Sequence, residues 1–257
     1  ESTYRTNPYR MFVGHSLGGL TVLNTLINHP SLFNSYVAID PSVWWDKQSL
    51  LKKANTILAQ KSFAGKKLFY GAANTMVKGM DTLRVVKDTA IRNVHVRNNF
   101  KFREVLLKNK KNQLVWDWKY YKDDNHSSVP LIAAYDAFQF FFKGFELIDD
   151  LNDPSVDLNF VRNHYQKVSA LLGYTVLPTE RTVNILGYIN LENKDYAKAY
   201  SFFKLNIENY PESFNVYDSM GDYYIAKGDK QKAKEFLLKA LMLQEHHDTR
   251  RKFEDLK

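Results

Sequence analysis

Tyr9-Arg10-Met11-Phe12-Val13-Gly14-His15-Ser16-Leu17-Gly18-Gly19-Leu20-Thr21-Val22-Leu23 is the stretch that decides the fold. A short apolar run ends at Gly14, glycines flank Ser16, and Leu20, Val22, Leu23, Leu26 and Ile27 then follow a helical pattern. This order predicts a strand, a sharp turn and a helix. Further strands are expected over 36–39, stopping at Asp40-Pro41, and over 67–70, stopping at Gly71, with helix-like stretches between them. Strands alternating with helices predict parallel βαβ units and an α/β class. Val105 to Leu107 and Gln113 to Tyr121 have further strand character, and an apolar helix is expected through Leu131 and Ala137 to Phe142.

The second half reads differently. Gly187, Asp195 and Ala199 recur as Gly221, Asp229 and Ala233, each 34 residues on, which is the tetratricopeptide period. The expected organisation is an α/β domain over 1–147 and an all-α domain over 148–257 with about two such repeats. Residues 149–157, rich in Asp before Pro154, read as a linker.

Composition narrows the function classes. Hydrophobic residues make up 44% and aromatics 14%, enough for a substantial core. The chain carries 36 Lys and Arg against 28 Asp and Glu, a net charge of +8, but the basic residues are scattered among acidic ones. A solvated surface, not a nucleic-acid site, is the reading. With no Cys, disulfides, zinc–thiolate sites and a cysteine nucleophile are excluded. No cofactor, no metal and no membrane span is expected.

Gly14-His15-Ser16-Leu17-Gly18 fits G-x-S-x-G, the elbow that exposes a serine hydroxyl above the C-terminal edge of a sheet. Leu17, opening the following helix, would offer a backbone N–H to an oxyanion. A serine needs a base. Among seven histidines, His126 lies in the polar loop before the last helix of the α/β part, which suits the serine-first, histidine-last order. His15 is expected to shape the elbow or pocket, and His95, His164, His246 and His247 to lie on the surface. An acid is expected after Tyr70, yet Gly71-Ala72-Ala73-Asn74-Thr75 has none. Asp81 downstream, Asp40 on the preceding strand and the amide of Asn74 are the alternatives, Asp81 being the acid assigned, and a Ser–His dyad stays open. Trp44 and Trp45 are placed as walls of a substrate pocket or as core aromatics over the sheet edge.

Gly14-His15-Ser16-Leu17-Gly18-Gly19, Asp40-Pro41-Ser42-Val43-Trp44-Trp45 and Asn125-His126-Ser127-Ser128-Val129-Pro130 together resemble the α/β-hydrolase family that includes esterase D and the siderophore (enterobactin-type) esterases. The resemblance covers residues 1 to about 147. It implies hydrolysis of carboxylic esters or thioesters, with Ser16 as nucleophile and His126 as base, and a small-molecule ester as substrate. Relatives usually have a small residue such as Ser where Asp40 stands. They also have a longer portion before the elbow than the 13 residues found here, so the sequence is expected to be the interior of a longer chain that lacks the first strands and one oxyanion donor. Periplasmic or secreted placement fits the resemblance. The C-terminal part resembles the tetratricopeptide tails of some bacterial esterases of this group, implying self-association or a protein partner. The competing reading is a catalytically silent hydrolase fold acting as an interaction module; peptidase or acyltransferase chemistry would use the same residues.

Overall fold

A computed structural model describes residues 3–147 and 150–256. The chain divides into two compact units, residues 1–144 and 145–257.

In the first unit the described elements run β1 (Met11–His15), α1 (Leu17–Asn28), β2 (Ser35–Ile39), α2 (Trp45–Gln60), β3 (Lys67–Ala73), α3 (Thr82–Val85), α4 (Val94–Lys108), β4 (Val115–Tyr121) and α5 (Val129–Phe142). The sheet is parallel with order β1-β2-β3-β4, and Gly14 pairs with Ala38, Ala38 with Tyr70, and Tyr70 with Trp118. All five residues of β2 are buried, as an inner parallel strand covered on both faces requires. Its side chains alternate. Tyr36 and Ala38 join Leu68 and Tyr70 beneath α1, α2 and α4, while Val37 and Ile39 join Phe69 beneath α5. Every strand therefore points its C-terminal end at one edge, where Ser16, Asp40 and Asn74 follow β1, β2 and β3.

Two expectations change here. Val105–Leu107 belongs to α4, not to a strand: Asn98, Phe102 and Leu106 recur every fourth residue and are buried together, a helical face that a three-residue apolar run concealed. The segment expected as a linker contributes to packing, since Val156 is 2% exposed in a core with Val161, Val183 and Phe202, and Asp157 caps the next helix by accepting from Phe160 N. Residue 149, where the linker was to begin, and residue 148, where the helical domain was to begin, lie outside the described residues.

The second unit is helical: α6 (Leu158–Leu172), α7 (Glu180–Glu192), α8 (Tyr196–Asn209), α9 (Phe214–Ala226), α10 (Lys230–Leu243) and α11 (His247–Asp255). The pairs α7/α8 and α9/α10 repeat the same construction. Asp195 and Asp229 cap α8 and α10 by accepting from Lys198 N and Lys232 N at 3.0 and 3.1 Å. At the helix crossings a Cβ on Gly187 would lie 2.5 Å from Phe203, and one on Gly221 2.7 Å from Leu237. Those aromatic and aliphatic side chains occupy the space the glycines leave.

Candidate active site

Ser16 takes φ 58° and ψ −118°, between the end of β1 and the start of α1. Backbone bonds tie this turn to its neighbours: Ser16 N donates to Ile39 O, and Ser42 N and Leu20 N donate to Ser16 O, each at 3.0 Å. A Cβ on Gly14 would overlap the Gly18 carbonyl, so the crossing of strand and helix needs glycine there. The anchoring holds a conformation that costs roughly 1–3 kcal/mol in isolation.

The Ser16 hydroxyl lies 3.0 Å from His126 Nε2 and 3.3 Å from Ser42 Oγ. His126 is set by the 122–128 loop, where Asn125 Oδ1 accepts from Ser127 N and Ser128 N, and Ser128 Oγ donates to Asp124. On its other side, His126 Nδ1 is 2.6 Å from Asp40 Oδ2. A carboxylate only accepts, so Nδ1 carries the proton and Nε2 is free to accept from Ser16.

The acid that meets the imidazole is thus Asp40. It stands just past β2 at φ 40° with no exposed surface. Its Oδ1 accepts from Ala73 N at 3.0 Å and Asn99 Nδ2 at 3.2 Å, and His95 Nε2 lies 3.0 Å from Oδ2. Burial pushes the Asp40 carboxyl up, but the donors from His95, His126 and Ala73 outweigh it and hold it below the ordinary carboxylate value. Asp81 is not brought to the histidine: it caps α3 and pairs with Arg84 Nε at 2.7 Å in solvent. Asn74 does not reach the imidazole either. It ties the two loops together, its N–H donating to Asp124 O at 2.8 Å and its side-chain amide to Lys122 O at 2.9 Å.

Asp40 and His95 were the harder residues to read. Asp40 directly follows the buried run Tyr36–Ile39, and a carboxylate at the buried end of such a strand needs partners. His95, expected on the surface, is in the site, its side chain 16% exposed. The available signal was its spacing of four from Asn99, which puts both on one face of α4.

Of the two tryptophans, Trp44 joins Ser16, Ser42, Thr75, Ile91 and His126 around a cavity of about 520 Å³. Trp45 faces a separate hollow beside Leu20, Asn24 and Ser49. His15 lies beside His126, ring centroids 4.4 Å apart, and burial lowers its imidazole below the ordinary value, helped by the neighbouring His126. Leu17 N–H, at the first position of α1, is among the donors a helix leaves without an intrahelical acceptor. Asp40, His95 and His126 could also converge on a metal ion. Their 2.6 and 3.0 Å separations are hydrogen-bond distances, shorter than the ~3.3 Å between tetrahedral ligands at about 2.0 Å from zinc.

Strand, elbow and site together are those of an α/β-hydrolase. Residues 1–127 match the family described as "Putative esterase", and residues 214–247 match the tetratricopeptide repeat; the first unit belongs to that esterase family. The chain is 43% identical over 56 residues to the ferri-bacillibactin esterase BesA of Bacillus subtilis, covering 21% of this chain and 19% of the relative. It is 44% identical over 46 residues to a siderophore enterobactin esterase of Emericella nidulans, covering 18% of this chain and 15% of the relative. The chain therefore spans less than a fifth of the length of the curated relatives it matches. Among solved structures, an IroE-like serine hydrolase from Shewanella oneidensis aligns with 80% of this chain and 61% of its own, at 26% identity and a TM-score of 0.61. An uncharacterised protein from Capnocytophaga ochracea aligns with 99% of this chain and 70% of its own, at 13% identity and a TM-score of 0.64, which speaks for fold alone.

Proposed function

We propose that the first unit is a serine esterase that cleaves carboxylic esters through an acyl-enzyme. Ser16 attacks the ester carbonyl, His126 takes its proton and returns it to the departing alcohol, and water repeats the cycle to free the acid. Asp40 keeps the imidazole in the right tautomer and balances the imidazolium. Leu17 N–H helps hold the oxyanion. The single observation that carries this reading is the continuous line Ser16 Oγ, His126 Nε2, His126 Nδ1, Asp40 Oδ2, with gaps of 3.0 and 2.6 Å. The relatives' names favour siderophore-type esters, and the cavity beside Trp44 suits other acyl esters as well.

The silent-fold reading drew on the acid-free loop after β3 and on the basic repeat surface; an Asp40 within hydrogen-bond reach of His126 supports the catalytic reading over it. The second unit would then serve self-association or a protein partner through its repeats. Labelling of the full-length protein with a fluorophosphonate tests the assignment. Label is expected on wild type and absent from folded Ser16→Ala and His126→Ala; equal labelling of wild type and Ser16→Ala rejects it.

A further inference from the structure

α4 sends two side chains to Asp40 from one face. Asn99 Nδ2 reaches Oδ1, and one helical turn earlier His95 brings Nε2 to within 3.0 Å of Oδ2. Which nitrogen of His95 carries its proton follows from the other side of the ring. The Trp44 indole Nε1–H, a group that only donates, gives its hydrogen bond to His95 Nδ1 at 2.9 Å. A ring nitrogen that accepts holds no proton, so neutral His95 is protonated on Nε2. That N–H is buried and makes no hydrogen bond of ordinary angle among the described residues, and Asp40 Oδ2 lies beside it at 3.0 Å. One carboxylate oxygen thus faces two imidazole N–H groups, from His126 and from His95, whose rings meet edge to face with centroids 5.1 Å apart.

We propose that His95 is a positioning residue for the reaction assigned above: turned by Trp44, it presents Nε2–H to Asp40 Oδ2 and fixes that carboxylate on His126. The inference rests on the reading of Ser16 and His126 as nucleophile and base. Trp44 also lines the cavity beside Ser16 and is 36% exposed. A substrate that packs on its ring orders the indole that turns His95, so occupancy of the pocket and alignment of the acid are linked. His95 also borders that cavity, and its route to the reaction in this proposal is through Asp40.

The titratable groups around Asp40 are His95 on α4, His126 after β4, His15 on β1 and Tyr70 on β3, whose hydroxyl donates to Asn99 Oδ1. Burial favours the protonated carboxyl, and the donation from His95 is the largest influence opposing it. Without His95, Asp40 takes up a proton at higher pH. A protonated Asp40 neither accepts from His126 nor balances an imidazolium, so the acid limb of activity moves to higher pH.

The test is hydrolysis of p-nitrophenyl butyrate by the full-length protein across pH, for wild type, Ser16→Ala, His95→Phe and His95→Gln. His95→Phe keeps the ring shape without the donor. It is expected to lower kcat about tenfold or more, within the ~10²-fold that a misplacement of about 1 Å brings. KM should stay nearly unchanged and the acid limb should move to higher pH. His95→Gln, which retains a donor, is expected to recover most of both. A folded His95→Phe with wild-type kcat and acid limb overturns the inference. Imidazole ¹⁵N NMR of the wild type tests it without turnover, and so also if the variant does not fold: protonated Nε2 and bare Nδ1 on His95 are required, and a proton on Nδ1 overturns it. Hydrolysis that persists in Ser16→Ala rejects the esterase assignment instead, and the NMR result still decides the role of His95.

Discussion

The two units place backbone strain differently. Among the described residues, non-glycine positive φ angles occur in the first unit at Ser16, Asp40, Asp46, Lys47, Gln48 and Gln113, and in the second only at Lys194. Two of the six, Ser16 and Asp40, are the ends of the hydrogen-bonded line through His126. Strain of this kind persists only where surroundings over-determine it, and here the backbone N–H groups of Ser16 and Asp40 are held by Ile39 O and Gly71 O on adjacent strands. The helical unit is built from a 34-residue plan used twice, with the same cap, glycine and turn each time, and needs little strain. The difference teaches that the sheet edge is organised to aim side chains, and the helical unit to stack.

The largest way to break the contrast is Asp40→Asn. An amide facing His126 Nδ1 favours the wrong tautomer, and losses near 10⁴-fold in kcat are typical of that change in a triad. Steady-state ester hydrolysis by the folded variant checks it; a loss under tenfold returns the site to a Ser–His dyad. The same variant tests stability. Because the Asp40 carboxyl is held below its ordinary value, its contribution is complete above about pH 4 and lost as pH falls through the depressed value. Urea unfolding measured between pH 3 and pH 6 should therefore show a shallower acid decline in Asp40→Asn than in wild type.

Next in size is Gly221→Val, which drives a side chain into Leu237. Overpacking of this kind costs about 1–3 kcal/mol. All four tryptophans, Trp44, Trp45, Trp116 and Trp118, lie within residues 1–144, so their fluorescence follows the sheet unit while far-UV circular dichroism is dominated by helices of both. The second unit's share of the helical signal is expected to melt at lower temperature, with the tryptophan transition in place. If both fall together, the two units unfold as one.

How much of this the sequence carried depended on whether a signal was local. Ser16 and its glycines form a contiguous motif, His126 follows from chain order, and the 34-residue repeat is visible by alignment of the chain with itself. Asp40 was among the alternatives for the acid but could not be ranked above Asp81, and His95 was placed on the surface, because their meaning is set by pairing across the sheet and from α4, contacts 86 and 59 residues apart in the chain for Asp40 with His126 and Asn99. Chain order directed attention to the loop after β3, where Asn74 serves as a tie between loops. Asp81 had the right chemistry but caps a short helix in solvent. Trp44 and Trp45 are adjacent and alike, yet one lines the cavity beside Ser16 and the other a separate hollow, a difference that a dipeptide alone does not show.

The smallest effect sharpens the comparison from the relaxed side. Lys194 at φ 59° and Gly228 at φ 76° occupy the same position one repeat apart. Their turns share two backbone bonds: Lys194 N donates to Leu191 O and Gly228 N to Ile225 O, and Asp195 N and Asp229 N donate to Asn190 O and Tyr224 O. Lysine bears a left-handed penalty of about 1–2 kcal/mol that glycine does not, offset in part by the greater freedom glycine loses on folding, about 0.5–1 kcal/mol. Lys194→Gly is thus expected to stabilise the helical unit by a few tenths to about 1 kcal/mol, read as a small rise in the circular-dichroism midpoint with hydrolysis unchanged. The mirror change, Gly228→Lys, should lower the midpoint by a similar amount. If Lys194→Gly instead destabilises, the lysine stem contributes packing at that turn that outweighs its backbone strain, and the two repeats are not equivalent where their backbones agree.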